Sequence, residues 1–231
     1  MGILYIVPTP IGNLQDITLR AIDVLKSVDL IVCEDTRITG GLLHHLGIKK
    51  EMTVLTDNNE ETKIYEILNQ IAENLNVALV SDSGTPLISD PGFKLIRAVV
   101  KKGYKVIPLP GANAVTTALC ASGLPTDKFL FLGFPPDSFE RKKKFFLNIQ
   151  GTYSTEAENK LKNPTIVLYE SPHKLLRCLT AFKEVFGDME IVIAREMTKM
   201  YEEFLRDTPS TMIEHFTKNQ PKGEFVVMFH L

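Results

Sequence analysis

The sequence predicts an α/β protein resting on a largely parallel sheet. Two observations carry that prediction. Short apolar runs alternate with segments of helical period, and each run breaks into a loop rich in proline, glycine and acidic residues. With 231 residues, 44% hydrophobic and 23% charged, the chain can bury one large core or two modest ones. No apolar run approaches the roughly 20 residues a membrane-spanning helix needs, and residues 1–10 lack the basic-then-apolar layout of a secretory signal, so a cytoplasmic location is expected. The formal net charge of −2 excludes whole-domain basicity, so any contact with nucleic-acid phosphate must be local. Cys33, Cys120 and Cys178 lie far apart inside apolar stretches, without metal-ligand spacing, and read as buried thiols.

Residues 2–7 form a β-rich run stopped by Pro8-Thr9-Pro10-Ile11-Gly12-Asn13, where two prolines and a glycine forbid continuation of a strand. Leu19, Ile22, Val24 and Leu25 then recur near helical period behind Asp16 or Thr18 as amino-terminal cap. Residues 30–33 are a second strand ending in Glu34-Asp35-Thr36-Arg37, and residues 52–55 a third, leading into the polar stretch 56–61. Ile64, Ile67, Leu68, Ile71 and Leu75 space out a helix, and residues 77–80 make a buried strand. A helix over 93–102 stopped by Gly103, with Asp90 as its expected cap, a strand over 105–109 and a helix over 114–122 complete the first half. Gly123-Leu124-Pro125-Thr126-Asp127 reads as a boundary, giving domains 1–123 and 124–231. Beyond it, strands are expected over 129–134, 165–169, 190–194 and 224–229, an amphipathic helix over 174–186, and a loop over 150–163 with a short helical piece around 156–161. The second half is therefore α/β as well.

Residues 8–13, 34–37, 81–92 and 110–114 all fall at strand carboxyl ends, and in a parallel sheet such loops share one rim, where ligands bind. The richest is Ser81-Asp82-Ser83-Gly84-Thr85-Pro86-Leu87-Ile88-Ser89-Asp90-Pro91-Gly92, with carboxylates, hydroxyls and free main-chain amides. The first loop lacks the glycine spacing of a dinucleotide fingerprint, and the chain has no P-loop lysine. A nicotinamide dehydrogenase or phosphate-driven enzyme is thus disfavoured. A rim of carbonyls, hydroxyls and carboxylates suits a ligand with adenosine, amino-acid and cationic groups.

Taken together, Leu4 to Leu14, Glu34-Asp35-Thr36-Arg37, residues 81–92, Leu109-Pro110-Gly111-Ala112-Asn113-Ala114, Tyr169-Glu170-Ser171 and Ala194-Arg195-Glu196 resemble, in order and spacing, the ribosomal RNA small subunit methyltransferase I family, which is similar in fold to the tetrapyrrole methylases. The resemblance spans essentially the whole chain. It implies two α/β domains of the tetrapyrrole methylase type with S-adenosylmethionine in the cleft between them, and methyl transfer to the ribose 2′-hydroxyl of a cytidine in the decoding region of small-subunit ribosomal RNA. It also implies a homodimer acting without DNA or membrane. Carried over by motif, Pro10, Ile11, Thr85, Pro86, Ile88, Asn113 and Ala114 would contact the cofactor from the first domain, with Gly84-Thr85-Pro86 at the family's Gly-Asp-Pro position. Tyr169, Ala194, Arg195, Gly223 and Glu224 would do so from the second.

Methyl transfer from a sulfonium is an in-line displacement that needs no metal, and a carboxylate within hydrogen-bond reach can take the hydroxyl proton. Asp35, Asp82 and Glu196 are the expected catalytic candidates, each also able to serve as a cap or ion-pair partner. His44, His45, His173 and His230 have spacing that fits no metal site. Arg37 could grip an RNA phosphate through its two-pronged donor set. Arg141, Lys142, Lys143 and Lys144, just before Phe145, are either a phosphate-contacting edge or the solvated face of a helix. A tetrapyrrole or protein side-chain methylase of the same fold, or a cofactor- or RNA-binding module without activity, remain rival readings. Many members of the family continue into a helical carboxyl-terminal extension, whereas this sequence stops at Leu231.

Overall fold

The alternation in the first half becomes a sheet with helices on both faces. The computed structural model describes residues 1–56, 58–153 and 163–231. Its first unit, Met1–Asn113, contains β1 (Ile3–Ile6), α1 (Leu19–Ser27), β2 (Leu30–Cys33), α2 (Thr36–His45), β3 (Glu51–Val54), α3 (Glu60–Ala72), β4 (Val77–Leu79), α4 (Phe93–Lys101) and β5 (Lys105–Pro108). The strand order is β3-β2-β4-β1-β5, and every pairing is parallel. Side chains alternate across a strand, so each strand feeds two cores. Leu30, Val32, Val77 and Leu79 pack with Ile67, Ile71, Leu95 and Val99 of α3 and α4. Ile31, Cys33, Ala78 and Val80 pack with Ala21, Leu25 and Leu43 of α1 and α2. Burial on both faces explains why these strands read as unbroken apolar runs.

The second unit, Ala114–Leu231, contains α5 (Ala114–Ser122), β6 (Phe129–Phe131), α6 (Phe139–Thr152), β7 (Thr165–Glu170), α7 (Leu175–Phe186), β8 (Ile191–Arg195), β9 (Glu203–Asp207), α8 (Pro209–Lys218) and β10 (Phe225–His230). Its sheet runs β6-β7-β10-β8-β9. Only β6 and β7 are parallel there, and the other pairs are antiparallel. Phe146, Phe182, Phe216, Phe225 and Phe229 form the heart of its core. The compact units meet between Asn113 and Ala114, so α5, expected to close the first domain, counts with the second, where it packs on β8 and β10.

Local chemistry explains the boundaries. Thr18 caps α1 by accepting from the Ala21 amide, and Thr208 caps α8 by accepting from the Thr211 amide ahead of Pro209. The expected Asp90 cap of α4 is not realised; the N-cap is Gly92 at φ 119°. Residues 150–152, expected in a loop, are the last turn of α6. Asp57 and the helical piece expected at 156–161 lie outside the described residues. Cys33 and Cys178 are buried as expected, whereas Cys120 is exposed. No helix of the described residues is long and apolar enough to cross a membrane.

Candidate functional site

In the first unit, β1 and β4 are neighbours whose outgoing connections leave to opposite faces: β1 leads to α1, and β4 leads to α4. Loops that diverge in this way open a crevice at the carboxyl edge of the sheet, the usual ligand position in open α/β folds. Here the two loops are tied across it. The Thr9 amide donates to Gly84 O at 2.9 Å, the Gly84 amide donates to Thr9 O at 3.1 Å, and Thr9 Oγ1 donates to Ser81 O at 3.0 Å. The loop after β5 joins through Thr85 Oγ1, which donates to Ala112 O at 2.8 Å. Gly111 is required at that junction, since a Cβ there would stand 2.6 Å from Pro8 Cβ. The loop after β2 joins through the Asp35 amide, which donates to Asp82 Oδ1 at 3.2 Å. The four expected loops therefore make one rim.

Within it, Pro10, Ile11 and Pro86 are buried, and Thr85, Ile88 and Asn113 are half-buried; Ala114, the first residue of the second unit, is half-buried as well. A Cβ on Gly84, at φ +85°, would approach Ile11 Cγ2 to 3.1 Å and Ala112 O to 3.7 Å, so main chain lies close where three loops converge. Leu87 and Ser89 hold φ values of 77° and 70°, left-handed backbone that side chains other than glycine adopt at a cost and that clusters at functional loops. The rim's carboxylates differ in state. Asp35 caps α2 and grips Arg37, accepting from its amide at 2.8 Å and from Nη2 at 2.5 Å; the Arg37 hydrogen bonds hold its carboxyl down at about 2. Asp82 is pushed above the ordinary carboxylate value by burial and by the Asp35 charge, against the pull of the Asp35 amide. Asp90 is raised to about 6 by burial, with the Asp82 charge adding to the rise and the Ser81 side chain opposing it. Sequence reasoning set Asp90 aside as a cap; only the packing of the loop distinguishes it.

The second unit assembles its own group by strand register. Val226 on β10 stands opposite Tyr169 on β7 and Ala194 on β8, and Phe225 stands opposite Glu170 and Arg195. Tyr169 meets Phe131 and Phe134 edge-on, with ring centroids 4.8 and 5.5 Å away. Arg195 donates from Nε to Lys222 O at 2.8 Å and pairs with Glu203. Tyr169, Ala194, Arg195, Gly223 and Glu224 are thus brought to one end of this sheet. Glu196 is held there structurally. Its Oε1 accepts from the Glu224 amide and from Lys199 Nζ, both at 3.0 Å. Burial raises the Glu196 carboxyl, but those donors outweigh it and hold it below its ordinary value. Gly223 makes room for this contact, since a Cβ at its φ of +92° would lie 2.4 Å from Glu196 Cδ.

The basic run divides. Lys142 is wholly buried and ion-paired with Glu170, so it cannot serve as an RNA contact. The helix period turns it inward while Arg141 and Lys144 stay exposed. Lys143 is half-buried and pairs with Glu184 at 2.6 Å. Arg37, with its side chain 89% exposed, is engaged by Asp35. Among the described residues, no group of three histidine, cysteine or acidic side chains is arranged to hold a metal ion.

Comparison with known proteins gives this geometry a lineage. The family model for Tetrapyrrole (Corrin/Porphyrin) Methylases matches residues 3–212. Proteins called ribosomal RNA small subunit methyltransferase I are 46% identical in Bacillus subtilis strain 168, over 99% of this chain and 75% of that protein. The corresponding Thermotoga maritima protein is 44% identical over 99% of this chain and 98% of its own length. Among solved structures, a diphthine synthase aligns with TM-score 0.73 at 13% identity, covering all of this chain and 90% of the other. A cobalt precorrin-4 methyltransferase aligns with TM-score 0.66 at 18% identity, covering 98% and 94%. At those identities the structures speak for the fold alone.

Proposed function

The chain belongs to the tetrapyrrole methylase family, within the group called ribosomal RNA small subunit methyltransferase I, and from that premise we propose that it transfers a methyl group from S-adenosylmethionine to the ribose 2′-hydroxyl of a cytidine in the decoding region of small-subunit ribosomal RNA. The observation that carries the reading is the 44–46% identity over nearly the whole chain to relatives of that name. The cytidine, its 2′-oxygen and the homodimer rest on the motif resemblance, and the cytoplasmic setting is the expectation drawn from the sequence.

The rim of the first unit fits the cofactor. Its loops are brought close at Gly84, which faces the Ile11 side chain and the Ala112 carbonyl, and Asp82 and Asp90 supply carboxylate character suited to a ligand carrying sulfonium and ammonium charge. Pro10, Ile11, Thr85, Pro86, Ile88 and Asn113 would hold it from this unit, and Ala114, Tyr169, Ala194, Arg195, Gly223 and Glu224 from the second. When bound, S-adenosylmethionine supplies an electrophilic methyl carbon. The protein's part is to align the ribose oxygen with that carbon and to receive the hydroxyl proton. Asp82 is the preferred acceptor, because Asp35 is committed to Arg37 and Glu196 to Lys199 and the Glu224 amide. Arg141 and Lys144 are the remaining exposed members of the basic run that could meet phosphate.

The test is incubation with methyl-labelled S-adenosylmethionine and assembled small subunits, followed by identification of the labelled nucleotide. One labelled cytidine in the decoding region is expected. Label on protein, or none on RNA while the cofactor binds, would refute the reading.

A further inference from the structure

Lys142 on α6 and Glu170 at the end of β7 form an ion pair with side chains 0% and 1% exposed. Both oxygens of Glu170 are engaged: one takes Lys142 and the other accepts from the Ser171 amide at 3.0 Å. Ser171 Oγ is itself buried and has no partner among the described residues, which marks it for a group the protein does not supply. Tyr169, immediately before Glu170, is braced by Phe131 and Phe134.

Taking two charges out of water is costly, and apolar side chains of similar volume commonly fill such a space at least as stably. Stability alone therefore does not account for the pair. What a carboxylate offers that an apolar side chain cannot is a fixed acceptor at the Ser171 amide, and its ion pair with Lys142 is what holds that carboxylate in place. We infer that Lys142 and Glu170 are positioning residues for methyl transfer, fixing the end of β7 so that Tyr169 and the Ser171 hydroxyl meet the cofactor. The inference rests on reading that end of β7 as a cofactor contact. It adds two residues that touch neither substrate nor cofactor.

The test uses the full chain in three variants. K142M/E170L removes both charges together, E170D shortens the carboxylate by one methylene, and Y169A probes the β7 reading itself. Each is assayed for thermal melting, for S-adenosylmethionine Kd, and for KM toward cofactor and toward small subunits. K142M/E170L is expected to melt near or above the wild type, yet to bind cofactor about tenfold or more weakly, with KM for subunits unchanged. E170D is expected to weaken cofactor binding in the same selective way, and it decides the matter if the double variant does not fold. Wild-type cofactor affinity in a folded K142M/E170L or E170D, with Y169A impaired, would overturn the inference alone. Wild-type affinity in Y169A would instead overturn the reading of β7 beneath it.

Discussion

Asp35, Asp82 and Asp90 carry one functional group in one rim, and their neighbours put them in three different states. The Arg37 fork holds Asp35 at about 2, which makes it a weak proton acceptor near neutral pH. Asp82, raised mainly by burial, is better matched to that task. Asp82→Asn should lower turnover by about 100-fold or more, well beyond its effect on cofactor affinity, and Asp35→Asn should lower turnover less; steady-state kinetics beside calorimetric binding separates the two effects. Asp90 makes a prediction about stability. Its carboxyl lies at about 6 in the folded chain against an ordinary 3.8, so the folded state holds a proton that the unfolded chain releases between those values. The stability from this group is complete below pH 3.8 and lost as pH rises to about 6. Asp90→Asn cannot titrate, so melting curves across that window should shift in favour of the variant as pH rises, whereas parallel curves would contradict the assignment.

At the scale of an element, α6 shows how a helix sorts four adjacent cations. Its period sends Lys142 into the core and leaves Arg141 and Lys144 in water. Lys142→Met alone strands a buried carboxylate and should cost about 3–5 kcal/mol in chemical denaturation. Arg141→Gln with Lys144→Gln should leave stability unchanged and reduce the salt slope of RNA binding by about 1 for each phosphate no longer neutralised. The loop after β5 is constrained differently. Gly111→Ala would drive a Cβ against Pro8 and should destabilise the first unit by about 1–3 kcal/mol, readable as a lower melting temperature with weakened cofactor binding. The sequence was a poor guide to α2, because Gly40, Gly41, Thr36 and Thr39 give it little helix propensity. Yet α8 was announced by Thr208-Pro209 and by Met212 and Phe216 one turn apart, a signal that reading for strands passed over. The edge strand β9 alternates too weakly, with charged Glu203, Arg206 and Asp207 among its five residues, to declare itself.

For the molecule as a whole, what could be read in advance was whatever follows from periodicity. Apolar runs buried on both faces announce the parallel sheet of the first unit, and a parallel sheet must gather its carboxyl-end loops, so the rim is legible in the sequence. What could not be read was partnership across the chain. Lys142 finds Glu170 28 positions away, and Glu196 finds the Glu224 amide 28 positions on; nothing in a local window reveals such pairs. For the same reason the mixed order β6-β7-β10-β8-β9 was hidden, since β10 inserts between two earlier strands. On the proposed function, a scaffold of the tetrapyrrole methylase family acts here on a ribose hydroxyl. Alkaline hydrolysis of small-subunit RNA labelled by this protein is the decisive measurement, because a methylated 2′-oxygen can no longer attack the adjoining phosphate. Label emerging in an alkali-resistant dinucleotide beginning with cytidine is the predicted result, and label released in a mononucleotide would contradict it.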